Sequence, residues 1–73
     1  MMKVIENAVV VGRSFGENLV YSVMDEMTGN TISMLANNTN EILEIGTEGM
    51  VTYETAGVVR MMSFESVMQE ELV

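Results

Sequence analysis

The side chains of this sequence that could do chemistry are few, and most are carboxylates. Asp25 and Glu26 form the one adjacent acid pair that falls in a turn. A calcium loop sets acids at alternate positions and closes with a Glu, but Met27 occupies the second such position, so the pair reads as solvated acids and not as a metal site. Two carboxylates working on a glycoside would need a substrate cleft, which a chain this short rarely forms. Gly46-Thr47-Glu48-Gly49 has the glycines of a phosphate cradle but neither the Lys nor the following helix that a phosphate loop uses. It reads as a turn with positive-φ glycines, leading into the strand-like MVTYE. The chain has no His and no Cys, which removes serine–histidine triads, histidine–zinc sites, thiolate nucleophiles and disulfides. No catalytic residue, cofactor or metal is expected. Asn37-Asn38-Thr39 fits a glycosylation sequon, and with no signal-peptide block at the N-terminus it reads as an accidental match.

Charge is more informative than any motif. Lys3, Arg13 and Arg60 stand against eleven acids, for a net charge of -8. Nucleic acids are bound through clustered Lys and Arg that displace counterions, so direct binding to DNA or RNA is disfavoured. A basic surface on another protein is the complementary partner, because opposite charge speeds encounter and rejects wrong partners. The longest apolar run, residues 8–11, is far below the roughly 20 residues of a membrane helix. The chain is expected to be soluble and intracellular. Nine methionines are many for 73 residues; Met34, Met50 and Met61 are expected to fill a small core, whereas Met24, Met27, Met62 and Met68 are candidates for an adaptable contact surface.

The elements that would position these residues are mostly strands, in one domain spanning residues 1–73. Residues 19–36 alternate apolar and polar side chains on either side of Asp25, Thr28, Gly29 and Asn30, which predicts a hairpin. Residues 1–13 predict a strand broken near Glu6 and Asn7, and Phe15 in the following loop is expected to lie as a lid over one end of the core. Residues 41–45 predict a short helix or an irregular crossing. Residues 50–54 and 58–64 predict a second hairpin across Thr55-Ala56-Gly57, and Ser63 is placed to cap a final helix with Phe64, Val67, Met68 and Leu72 on one face. The expected fold is small and mostly β, either an antiparallel sheet or a partly open small barrel of the OB or SH3-like kind, with a short C-terminal helix. The expected core is Val4, Val9, Val11, Leu19, Tyr21, Val23, Ile32, Met34, Leu43, Ile45, Val51, Tyr53, Val59, Met61, Phe64 and Met68.

From MMKVIENAVVVGR through the central hairpin to SFESVMQEELV, the chain resembles the small acidic transcription regulators of lytic Xanthomonas phages in length, acidity and lack of His, Cys and Pro. The resemblance implies a protein that binds host RNA polymerase through the N-terminal part of its largest subunit, in the bacterial cytoplasm. It also implies inhibition of initiation and readthrough of terminators. No short motif carries a residue role across, so the expected contact surface comes from this chain alone. A strand interrupted near Glu6 can leave an open sheet edge, and the acidic C-terminal segment can pack beside it. The partner-binding candidates are Lys3, Val4, Ile5, Glu6, Glu65, Met68, Glu70 and Glu71. The alternatives are an acidic DNA mimic that inhibits a nucleic-acid-binding protein, disfavoured by scattered carboxylates, and a structural phage component.

Overall fold

A computed structural model describes residues 1–36 and 42–66. The expected small β fold is present, as five strands: β1 (Met2–Ser14), β2 (Val20–Asp25), β3 (Thr31–Leu35), β4 (Glu48–Glu54) and β5 (Arg60–Ser66). They form a ring in the order β1-β2-β3-β5-β4, with β4 returning to β1. Every neighbouring pair is antiparallel except β3 and β5, which run parallel and share a single bridge, Leu35 with Arg60.

β1 is continuous where a break was expected. From Ile5 to Ala8 it advances three residues while β4 steps two, from Val51 to Gly49, so Glu6-Asn7 holds one extra residue in a bulge. A second bulge lies at Val11, between the pairs Val10 with Val23 and Gly12 with Ser22. These bends let one long strand serve two neighbours: its first half lies on β4 and its second half on β2. The polar interruption in the sequence is thus a bend in a strand.

Both hairpins form. In the first, Asp25 bonds its own turn, its side chain accepting from the Met27 N–H (2.9 Å) and its carbonyl accepting from the Gly29 N–H (2.7 Å). In the second, Gly57 takes a φ of 76°, the left-handed region that a side chain resists. Gly49 departs from the expected turn, for it lies inside β4 without a positive φ. A Cβ built on Gly49 would stand 2.2 Å from the Glu65 carbonyl oxygen and 2.7 Å from the Ser66 Cα, so glycine is required by the closeness of β5.

The core is a continuous apolar cluster of Ile5, Ala8, Val10, Tyr21, Val23, Met34, Val51, Tyr53 and Met61, with Leu19, Ile32, Leu43, Val59 and Phe64 packed partly buried against it. Val9 is also buried. Val4, Val11 and Ile45, expected inside, are exposed. Val4 alternates with buried Ile5 and so faces outward, Val11 is the extra residue of its bulge, and Ile45 sits on the turn before β4. Met50 is only partly buried, and Phe15 is 61% exposed and lies beside Arg13 instead of over the core.

Residues 42–44 follow an irregular path, so that the crossing is not a helix where it is described. β5 holds Ser63 and Phe64, as expected of the strand over 58–64, and runs on through Ser66, so Ser63 does not cap a helix and Glu65 and Ser66 are strand, not helix. Among the described residues there is no helix. The remainder of the expected C-terminal helix, the sequon at Asn37 and the first residue of the expected crossing, Glu41, lie outside the described residues. Among the described residues no helix is long and apolar enough to cross a membrane.

Candidate functional site

The side chains expected to meet a partner divide at Ile5. Ile5 is 5% exposed and pairs with Val51 in the middle of the core, so it is a core residue and not a contact residue. Lys3, Val4, Glu6 and Glu65 are exposed. Met68, Glu70 and Glu71 lie outside the described residues.

Val4, Glu6 and Glu65 share one surface because β4 lies between β1 and β5, whereas Lys3, in register with buried Tyr53, alternates with Val4 and falls on the opposite side of the strand. Val4 pairs with Thr52, which pairs with Ser63; two residues along, on the same face, Met50 pairs with Glu65. Strands stand about 4.8 Å apart, so Val4 and the β5 row are separated by about 10 Å. On this outer face Met2 and Val4 of β1 are 51% and 52% exposed, and Met62 of β5, across the Thr52 and Glu54 positions of β4, is 41% exposed. Met62 is thrown outward by its own bulge: β5 runs from Ser63 to Met61 while β4 moves only from Thr52 to Tyr53. The result is a face with exposed apolar side chains on its two outer strands, Glu6 and Glu65 exposed among them, and Thr52 and Glu54 between. Met2, Met50 and Thr52 were missed by the sequence reading of this surface. The signal for Met2 was present in its spacing of two from Val4, but the signal for β4 required knowing which strand separates β1 from β5.

At the edge of this face, Glu54 is held by charge and hydrogen bonds. The Met1 ammonium forms a hydrogen-bonded ion pair with Glu54, and the Ala56 N–H donates to the same carboxylate at 3.0 Å. These hydrogen bonds, the ammonium's first, hold the Glu54 carboxyl below its usual range. The Met1 carbonyl accepts from the Thr55 N–H and hydroxyl, both at 3.1 Å, so the first residue is tied to the end of β4.

A second exposed group surrounds Arg13. Its guanidinium lies 5.6 Å from the centre of the Phe15 ring, donates to the Leu43 carbonyl at 2.8 Å and approaches Glu44 at 3.5 Å. Leu43 in turn donates its N–H to the Tyr21 hydroxyl at 2.8 Å, which fixes the crossing segment on the core. These contacts account for Arg13 as a clamp holding the crossing. A third feature is an open apolar groove of about 210 Å³ at the β3–β5 seam, lined by Val20, Ser33, Met34, Leu35, Val58 and Val59. It presents no charged side chain.

Among the described residues no group of three acids could hold a metal, and no polar or charged side chain is buried. The Asp25 carboxylate is engaged in its own turn. This surface chemistry is suited to protein contact: apolar side chains that lose water on binding, with acids at the rim. Comparison of the chain with family models, curated proteins and solved structures finds no match.

Proposed function

We propose that this protein is a non-enzymatic regulator that binds a basic surface of a larger protein through the outer face of β1, β4 and β5. The observation that carries the reading is the exposure of apolar side chains on this face, Met2 and Val4 on β1 and Met62 on β5, together with the exposed acids Glu6 and Glu65. With a net charge of -8, the chain would be steered to a basic partner. The resemblance to phage transcription regulators supplies the partner: host RNA polymerase, at the N-terminal part of its largest subunit. Binding there would inhibit initiation and promote antitermination in the bacterial cytoplasm. For the fold, the strand order and the single-bridge seam support a partly open barrel of the OB kind over the SH3-like alternative. Such barrels bind oligonucleotides with basic and aromatic side chains, and this chain's charge argues against that use.

The test is binding to purified Xanthomonas RNA polymerase, read together with promoter-dependent transcription. The wild-type chain is expected to bind and to lower initiation, with an association rate that falls steeply between low and physiological salt while dissociation changes little. Val4→Ser and Glu65→Lys should each weaken binding yet change stability by no more than about 0.5 kcal/mol, as exposed substitutions usually do. Absence of polymerase binding removes the polymerase from the account. Binding indifferent to salt and to both variants removes this surface.

A further inference from the structure

Among the described residues, two stretches of strand in the ring are paired along one side only. Residues 31–34 of β3 bond to β2, and β3 meets β5 only at Leu35. Residues 2–5 of β1 pair with β4 and Glu6 follows in the bulge, while the β2–β3 hairpin stops level with Ala8, its last bond to β1 running from the Glu26 N–H to the Asn7 carbonyl at 2.8 Å. Among the described residues, none pairs with residues 2–6 on the side away from β4. The edge exists because β1 outruns its hairpin partner.

We propose that residues 2–6 are a strand-addition site for an extended segment of a partner protein that alternates apolar and basic residues. The proposal deepens the protein-binding reading above and rests on it. An unpaired strand edge is a row of backbone donors and acceptors, which an added strand satisfies while its alternate side chains are read by neighbouring surface. Here that surface is specific. Met2 and Val4 are about half exposed on the outer face and offer apolar contact to every second residue of an added strand. Glu6 lies in the edge itself, and Glu26 is held beside it by the bond to Asn7, so acids gather at one end of the site. That charge selects Lys or Arg on the incoming segment.

A second copy of this chain is a poor occupant. Two copies paired antiparallel about Val4 would bring together molecules of net charge -8 each. The Glu6-Asn7 bulge also twists the edge away from a long flat pairing, a device that guards edges against self-addition. Of the two open edges, that of β3 faces β5 across the seam and has no flanking pair of exposed apolar side chains comparable to Met2 and Val4.

The test uses a short synthetic peptide of alternating valine and lysine, and two further peptides methylated at either the valine or the lysine backbone nitrogens. Affinity is measured for each, and amide hydrogen exchange of the full chain is followed with and without the unmethylated peptide. The unmethylated peptide is expected to bind and to slow exchange within residues 2–6, and at least one methylated peptide to bind about tenfold more weakly or worse. Glu6→Lys should weaken the unmethylated peptide, with the melting temperature of the free chain held as the control for folding. Equal binding by all three peptides would reduce the contact to charge and overturn strand addition. Protection at residues 31–34 instead, or protection at residues 2–6 that arises by self-association without peptide, would overturn the site or its occupant. Polymerase capture that persists when the peptide does not bind overturns strand addition and leaves the protein-binding reading standing. Peptide binding without polymerase capture supports strand addition and removes only the polymerase.

Discussion

At the scale of single residues, Glu54 shows how a chain terminus can tie down a strand end. Its carboxyl titrates below the ordinary value of 4.5 because the Met1 ammonium and the Ala56 N–H bond the ionised form. A carboxyl whose folded pKa is depressed stabilises the fold where it is ionised, above the unfolded pKa. That contribution is lost as pH falls through the lower folded value. The melting temperature of Glu54→Gln should therefore lie below that of the parent near neutral pH, and the two should converge on acidification from about pH 5 downward. A gap between parent and variant that is constant across that range would show that the ion pair is not linked to folding. The pair is exposed, so the gap at neutral pH should be small.

At the scale of elements, bulges and one glycine determine how strands fit. Gly49 is pressed between β1 and β5, paired with Ala8 on one side and Ser66 on the other. Adding a methyl group there places a Cβ inside the contact distance of backbone atoms that have no rotamer with which to yield. Gly49→Ala should destabilise the chain by about 1–3 kcal/mol, the usual range for overpacking. For a domain of this size that lowers the melting temperature by about 4–8 °C per kcal/mol. Gly16→Ala is the matched control, since a Cβ at Gly16 meets nothing within 4 Å. Equal melting temperatures for the two variants would mean that β5 stands further from β4 than described here.

At the scale of the whole molecule, the ring is uneven. β1, β2 and β4 are joined by extended antiparallel ladders, but β3 and β5 meet through one bridge and the Leu35 N–H bonded to the Val59 carbonyl at 2.9 Å. Local opening follows the region with fewest cooperating bonds and contacts. The seam should open first. Amide exchange at Leu35 is expected to be at least about tenfold faster than at Val23 or Val51, which sit in strands flanked on both sides. Matching exchange rates at the three positions would mean that the ring opens as one unit. The groove lined by Val58, Val59 and Leu35 lies at the same seam, where packing is thinnest.

The sequence by itself determined the local features. Apolar alternation gave both hairpins, Asp25 and Gly57 set their turns, and the excess of carboxylates with no His or Cys restricted the surface chemistry. These are properties of a residue and its near neighbours, which a linear reading contains. Tertiary structure decided the rest. Val4 and Ile5 are equally apolar neighbours, and only the pairing of β1 with β4 put Ile5 in the core and Val4 on the outside. The sequence showed polar residues at Glu6 and Asn7 but not whether the strand stopped or bent, because that depends on a partner more than forty positions away at Gly49 and Val51. Ser63 and Phe64 carried the signals of both a strand end and a helix start, and the strand continued through Ser66. Residue spacing suited both outcomes, and the free edge of β4 offered a ladder of backbone bonds to a strand and none to a helix. The union of Val4, Met62 and Glu65 on one face is likewise a product of strand order, which no spacing along the chain encodes.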